Sequence, residues 1–597
     1  MGLLARIRSD LTYIRELARI DRATKGVGPD SLYLLPDALE ASIDRHGANL
    51  AFRFEGTDLD YAALEARANR FANWGLEQGF AAGDCVALFM ENRPDFVAFW
   101  FGMSKIGVVT ALINNQLTGT SLTHCVQIAH ARALVMNAAQ SALLDTARED
   151  LGGNLPVWSL DGATGDQLDL DAALAQQSTE RPPRKYRDTL RGRDVALYVY
   201  TSGTTGLPKA ARMTHARCLD MMLAFISPCR IGPQDRVYET LPLYHGTCGV
   251  CGVGTALLAG AGIVLRRRFS ASRFWSEARE NGATVFVYVG ELGRYLMNNP
   301  PSPDERDHSI TRAFGNGMRR DVWAQFSERT GITGIVEFYG STEGNVSLIN
   351  VDHTIGAIGR IPPLMRRFMQ TRLLRVDPQT QETVRDENGF CIETEAGEPG
   401  EAVGRIIAEK SRWRFEGYND RAATEKKILR DVFEPGDAWF RTGDLLMRDK
   451  DHYFYFIDRI GDTFRWKSEN VSTGEVAEVL QACPGILTAN VYGVEVPGHD
   501  GRAGMAALTV DEGFDPAIVH AEAVRNLPVY ARPVFLRIKQ EDDTTGTLKF
   551  RKVDLVAEGL DPKAIADRLY VLAEDRSGYH ILDTAWHDAI VAGDYRL

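Results

Sequence analysis

Excess positive charge, a disulfide-like cysteine pattern and an uninterrupted apolar run of membrane length are all missing from this sequence. With 68 Lys and Arg against 80 Asp and Glu, the 597 residues carry a formal charge of −12. That balance argues against a surface tracking nucleic-acid phosphates, so any anionic ligand needs a local cluster of donors. Eight cysteines are scattered along the chain, which fits thiols kept reduced in a cytoplasm better than a disulfide framework. Cys248 and Cys251 form a CxxC, but no second pair or spaced histidine completes a zinc site, and they read as two small buried residues. Low-complexity tracts and short repeats are lacking too, which argues against a disordered chain or a solenoid.

Residues 246–265 hold no charge, yet six of them are glycine. They read as a Gly-rich turn and helix running into a buried strand at 261–265, not as a span. Near the start, Leu3, Leu4, Ile7, Leu11, Ile14, Leu17, Ala18 and Ile20 recur at helical spacing as one apolar stripe. Arg6, Arg8, Arg15, Arg19 and Arg22 outnumber Asp10, Glu16 and Asp21 around it. Two readings stay open: peripheral membrane contact through residues 1–22, or a helix docked on its own domain. Charges interrupt every candidate apolar core, so a signal peptide is not expected.

What is present is the composition of a folded protein, 44% hydrophobic and 25% charged, long enough for two or more domains. From about residue 31, helical and strand patterns alternate. Leu64, Ala68, Phe71, Ala72 and Leu76 share a helix face, residues 85–90 form an apolar run, and residues 95–105 are helical again. Buried strands follow at 108–112, 285–289 and 335–338. Such alternation predicts an α/β fold with covered sheets. Residues 377–400 read as turns on an exposed β region, and a small α/β domain is expected beyond the charged stretch at 458–462.

The strongest chemical signal is TSGTTGLPK at 201–209, directly after the apolar run 195–200. Hydroxyls of Thr201, Ser202, Thr204 and Thr205, the flexible Gly203 and Gly206, and the charge of Lys209 suit a polyphosphate. It is not a Walker A loop, because no Gly-Lys-Ser/Thr stands at the required spacing. Further along come LPLYH at 241–245, GNGM at 315–318, EFYGSTEG at 337–344, WFRTGD at 439–444, Arg459, and TGTLK at 545–549.

In that order these motifs resemble the adenylate-forming (AMP-binding) superfamily. Residues 454–473 and the tail beyond Lys549 look like its fatty acid transport protein and very-long-chain acyl-CoA synthetase family. The resemblance runs from about residue 31 onward and implies a large N-terminal domain of βαβ-type sheets, residues 31–457. It also implies a hinge at 458–462 and a small mobile C-terminal domain at 463–597; residues 1–30, before the resemblance begins, are the amphipathic segment read above.

By the same resemblance His245 lies between the carboxylate pocket and the phosphates, and Gly315, Asn316 and Gly317 form the turn at adenine. Tyr339 stacks on adenine, flanked by Gly340 and Ser341, and Thr342 donates to the α-phosphate. Glu343, with Thr204, holds Mg²⁺, while Asp444 and Arg459 take the ribose. These assignments suit the chemistry: an aromatic face for a purine, a carboxylate for a hard cation or two hydroxyls. Lys549 bridges the attacking carboxylate and the α-phosphate. Lys467, Ser468 and Glu469 flank the coenzyme A path, and Ser468 departs from the family's usual glycine.

The implied activity is ATP- and Mg²⁺-dependent conversion of a long-chain or very-long-chain fatty acid to acyl-AMP, then transfer to coenzyme A. Transfer to a carrier protein, fatty-acid uptake by metabolic trapping, and a phosphate-binding module without activity are the competing readings. No nucleic-acid partner is expected, and the location implied is cytoplasmic, with peripheral contact on the inner face of a membrane.

Overall fold

Strand–helix alternation builds two large sheets that are mostly parallel. The computed structural model describes every residue except 1, 153, 202–206, 378–379, 467–468, 498–500, 542–551 and 596. The first sheet orders eight strands as Ser347–Asn350, Gly334–Gly340, Arg312–Asn316, Val285–Val289, Arg236–Glu239, Gly262–Leu265, Leu50–Phe54 and Thr57–Asp60. Its inner six run parallel, and an antiparallel strand closes each edge. The second sheet runs Leu168–Asp169, Val157–Leu160, Leu134–Asn137, Cys85–Phe89, Val109–Leu112, Val195–Thr201 and Lys209–Thr214. It is parallel except for its last hairpin.

Val285–Val289 is buried at every position, as a strand covered on both faces must be. Helices Leu35–His46, Tyr61–Glu77, Pro94–Lys105, His215–Leu223 and Val253–Ala259 touch one another, and their buried faces join side chains of both sheets in a single core. Tyr61–Glu77 begins where the Asp60 carboxylate accepts the Ala63 N–H at 2.7 Å, a standard N-cap. It buries Leu64, Ala68, Phe71 and Ala72, the face its spacing predicts.

A charged seam ties three of these helices together. Lys105 is fully buried, with Nζ 2.9 Å from Glu40 and 2.7 Å from Glu65. Arg187 joins Glu40 to Asp37 at 2.7 and 2.9 Å. Buried charges persist only when paired in this way.

An antiparallel sheet follows: Gly359–Arg360, Tyr453–Arg459, Ala438–Arg448, Pro399–Arg405 and Thr371–Leu374, with Ile428–Arg430 also on Ala438–Arg448. Beyond Arg459 come the hairpin Phe464–Trp466 with Glu469–Val471 and a five-stranded sheet starting with Ile486–Glu495. Their buried side chains, from Phe464 to Tyr595, form a separate core. Arg294 and Asn298 of helix Gly290–Asn298 reach the Leu487 carbonyl at 2.6 and 3.0 Å.

The N-terminal helix, Leu3–Ala23, lies along the antiparallel sheet. Asp10 pairs with Arg360 at 2.6 Å, Arg6 with Asp451 at 2.5 Å and Asp21 with Arg412 at 2.9 Å. The apolar stripe expected from its sequence is split in two. Tyr13 and Ile20 are buried, and Leu17 packs on the cluster of Ile358, Ile361 and Met369. Leu4, Ile7 and Leu11 point outward. Among the described residues, no helix is long and apolar enough to cross a membrane; residues 246–265 form two short buried helices and the strand Gly262–Leu265.

Candidate active site

The carboxyl ends of parallel strands are where α/β sheets place ligands, and here those ends carry the motifs. The hairpin Val195–Thr201 and Lys209–Thr214 pairs Thr201 with Lys209 in register. Lys209 Nζ lies 5.6 Å from the centroid of the Tyr418 ring. The Tyr418 hydroxyl donates to Glu343 Oε1 at 2.6 Å. Tyr418 is fixed by a bridge to Ala211 of the same hairpin, beside an Arg212 N–H bond to the Gly417 carbonyl. A cation, an aromatic hydroxyl and a buried carboxylate from three distant segments therefore meet.

Residues 337–344 leave strand Gly334–Gly340 and turn sharply. Ser341 Oγ accepts the Gly344 N–H at 3.1 Å. Arg217 donates to the carbonyls of Thr342 and Ser341 at 2.7 and 2.8 Å, so a guanidinium from helix His215–Leu223 holds the turn. Tyr339 donates its hydroxyl to Asp444 Oδ2 at 2.6 Å. Burial and the Asp444 charge hold that phenol well above its ordinary pKa, so it stays a donor. Asp444 faces Arg459 across the strand pair, with Nε 3.5 Å from Oδ1. The side wall is thus one aromatic ring, one carboxylate and one guanidinium.

The floor comes from adjacent strands. Glu337 is buried, accepts the Tyr288 hydroxyl and the Gly317 N–H, and takes the Met318 N–H at 3.2 Å. Burial pushes its carboxyl up to about 8. A Cβ on Gly315 would sit 2.0 Å from the Tyr288 carbonyl oxygen, so the approach of these two strands requires glycine. His245 precedes a seven-residue π-helical segment, Gly246–Gly252, and its ring accepts the Thr247 N–H at 3.4 Å. Thr247 Oγ1 lies 3.2 Å from Asn316 Oδ1, and a Cβ on Gly246 would lie 3.5 Å from Thr342 Oγ1. The histidine, the GNGM turn and the 337–344 turn are therefore neighbours. Beneath them Glu239 is fully buried and accepts the Cys248 thiol at 2.6 Å, and burial raises its pKa to about 8.

Residues 39–405 match the family of AMP-binding enzymes. The chain belongs to that family. Human long-chain fatty acid transport protein 1 is 40% identical over 576 residues, covering 95% of this chain and 88% of that protein. At that identity the chain also belongs with the long-chain fatty acid transport proteins, the family its motifs resemble. Among solved structures, ATP-bound MatB from Rhodopseudomonas palustris superposes with a TM-score of 0.72 at 22% identity, covering 88% of this chain and 99% of that one. The anthranilate CoA ligase AuaEII bound to anthranoyl-AMP gives 0.75 at 20% identity, covering 89% and 98%. These two likenesses show the fold of adenylate-forming enzymes.

In this AMP-binding enzyme, Thr201, Lys209, His245, Gly315, Asn316, Gly317, Tyr339, Gly340, Ser341, Thr342, Glu343, Asp444 and Arg459 fall at the ends of the strands and turns described above. Ser202, Gly203, Thr204, Thr205, Gly206, Lys467, Ser468 and Lys549 lie outside the described residues; Glu469 opens strand Glu469–Val471. Sequence reasoning missed Arg217 and Tyr418. Tyr418 left a faint signal, an isolated aromatic in the polar run GYND. Arg217 left none, since one arginine early in a helix is ordinarily solvated.

Proposed function

We propose that this AMP-binding enzyme is a fatty acid–CoA ligase acting on long-chain or very-long-chain acids. A carboxylate oxygen of the acid attacks the α-phosphorus of ATP, the bond to pyrophosphate breaks, and acyl-AMP results. The thiol of coenzyme A then adds to the acyl carbonyl and loses its proton, and AMP departs. Tyr339 lies against adenine over the Gly315–Asn316–Gly317 turn, Asp444 and Arg459 hold the ribose, and Thr342 donates to the α-phosphate. Ser202 to Gly206 and Lys209 cradle the leaving phosphates, His245 shields the carboxylate pocket, and Lys549 offsets the charge that gathers as two anions meet.

Glu343 gives one oxygen to Tyr418 and offers the hard carboxylate donor a magnesium ion selects, so Glu343 and the Thr204 hydroxyl would hold that ion. When bound, it supplies charge neutralisation on phosphate oxygens. We assign residues 31–457 to the adenylating domain, 458–462 to a hinge and 463–597 to a mobile domain carrying Lys549. Lys467, Ser468 and Glu469 flank the coenzyme A path. Residues 1–22 supply a peripheral contact on the cytoplasmic face of a membrane.

The observation that carries this reading is the 337–344 turn, whose Tyr339 meets Asp444, itself facing Arg459, while its Glu343 meets Tyr418, whose ring lies beside Lys209. Purified protein given ATP, Mg²⁺, coenzyme A and acids of graded length is expected to release pyrophosphate and form acyl-CoA, read by mass spectrometry. Lys549→Ala is expected to lose acyl-AMP formation while keeping thioester formation from supplied acyl-AMP. Glu343→Ala is expected to lose its Mg²⁺-dependent turnover. Absence of any mixed anhydride across the acid panel would overturn the assignment, and an acyl carrier product in place of acyl-CoA would redirect its second step.

A further inference from the structure

The N-terminal helix uses only one side for packing. At about 100° per residue, Tyr13, Leu17 and Ile20 cluster on the inner side, whereas Leu4, Ile7, Leu11, Arg15, Ala18 and Arg22 align on the outer one. Leu4 is 84% exposed and Leu11 62%. Against the inner side of the helix, at Leu17, packs the turn after strand Gly359–Arg360. Its Met365 and Met369 join the same apolar cluster as Leu17, while its tip holds up Leu364 at 70% and Phe368 at 55% exposure. The four most exposed of these side chains are among the five most exposed large apolar residues described in the molecule. They come from segments some 350 residues apart, yet flank one cluster.

On the helix's other flank lies an open cleft of about 480 Å³ lined by Thr12, Arg15, Glu16, Arg19, Ser227 and Arg230. Glu16 is occupied, taking Arg19 at 2.5 Å and the Ser227 hydroxyl at 2.7 Å. No described carboxylate pairs with Arg15 or Arg230, nor with Arg8 and Arg22 on the exposed side of the helix. A molecule of net charge −12 is repelled as a whole by an anionic surface, so unpaired arginines gathered beside an apolar ridge are the local exception.

We propose that this composite face docks on a bilayer containing anionic phospholipid. Leu4, Leu11, Leu364 and Phe368 enter the acyl boundary, and the unpaired Arg15 and Arg230 of the cleft take a lipid phosphate. The proposal builds on the peripheral contact assigned above to residues 1–22. It goes further in giving the contact a second apolar tip, a headgroup site and a lipid preference. Apolar insertion and arginine–headgroup attraction act together, which is how peripheral contacts reach useful affinity.

The test is co-sedimentation of the full chain with vesicles of phosphatidylcholine, alone or mixed with phosphatidylglycerol. Three variant pairs are compared: Leu4→Ser with Leu11→Ser, Leu364→Ser with Phe368→Ser, and Arg15→Gln with Arg230→Gln. Binding is expected on the mixed vesicles only and to weaken with salt. The arginine pair should bind more weakly by about fivefold for each charge removed, and both apolar pairs should bind more weakly than the native chain. Pyrophosphate release with a solubilised long-chain acid and no vesicles should be unchanged in all three, which separates this proposal from the ligase reading. Equal binding to both vesicle types overturns the headgroup site. Unchanged binding by the Leu364/Phe368 pair overturns the composite face while leaving the helix contact. A concentration-dependent dimer lost in the same variants, with no vesicle binding, would assign the face to a second copy of the chain instead.

Discussion

Asp444 concentrates several demands on one side chain: it accepts the Tyr339 hydroxyl at 2.6 Å and faces Arg459 at 3.5 Å. Asp444→Asn preserves shape and removes charge. A hydrogen bond to a charged group contributes about 1.5–3 kcal/mol, so we expect the KM for ATP to rise roughly ten- to a hundredfold. The melting temperature should stay nearly constant, and steady-state kinetics against ATP with a thermal melt check both. Glu239 makes the opposite case, a buried acid with an apolar setting. Its folded pKa is raised from 4.5 to about 8, so between those values the folded state holds a proton the unfolded chain has lost. Stability therefore falls as pH rises through that window and levels above it, by at most about 1.4 kcal/mol per pH unit. Glu239→Gln should flatten the melting temperature between neutral pH and about 8, leaving the slope from Glu337, which titrates in the same range. An unaltered slope would show that Glu239 is ionised in the folded protein. At this scale the motifs were legible: Tyr339, Glu343 and Asp444 stand in short motifs, and the structure brings Tyr339 onto Asp444. Arg217 and Tyr418 were not, because what makes them matter is a contact 125 residues away in one case and 75 in the other.

Among the elements, Tyr61–Glu77 and Val285–Val289 were readable because burial repeats at their own period, 3.6 or every residue. The seam between helices Leu35–His46, Tyr61–Glu77 and Pro94–Lys105 was not. Lys105 ends a helix that is apolar from Phe96 to Met103, and only the assembled layer shows it neutralised by Glu40 and Glu65. Lys105→Met leaves Glu40 with Arg187 and Glu65 with Arg181 but removes the buried cation between them, so we expect a loss of about 1.5–3 kcal/mol, read by chemical denaturation. Acid works on the same seam. Burial alone would raise the Glu65 pKa, but Arg181 and Lys105 bring it below its ordinary value, and for Asp37 the Leu34 N–H and Arg187 do the same. Their stabilisation is full above the unfolded carboxyl values and is lost as pH falls through the lowered ones.

Across the molecule, contacts between the two cores among the described residues include Arg294 and Asn298 on the Leu487 carbonyl, and Arg319 on Gln481. The chain passes between the cores through a turn where Gly461 adopts φ +97°, a value proline cannot take. If the C-terminal domain rotates between half-reactions, Gly461→Pro should slow overall acyl-CoA formation at least about tenfold, while ATP–pyrophosphate exchange falls less. Equal rates for variant and native enzyme would argue that no rotation about this turn is needed.

By itself the sequence determined which chemistry this chain carries and roughly where its helices and strands lie, since motif spacing and hydrophobic period are properties of near neighbours. Tertiary structure alone decided which side of the N-terminal helix is buried, which cation answers Glu40 and Glu65, and which tyrosine reaches Glu343. Those choices depend on segments far apart in the chain, and they are set only when burying a whole layer makes one pairing of charges and apolar faces better than every other.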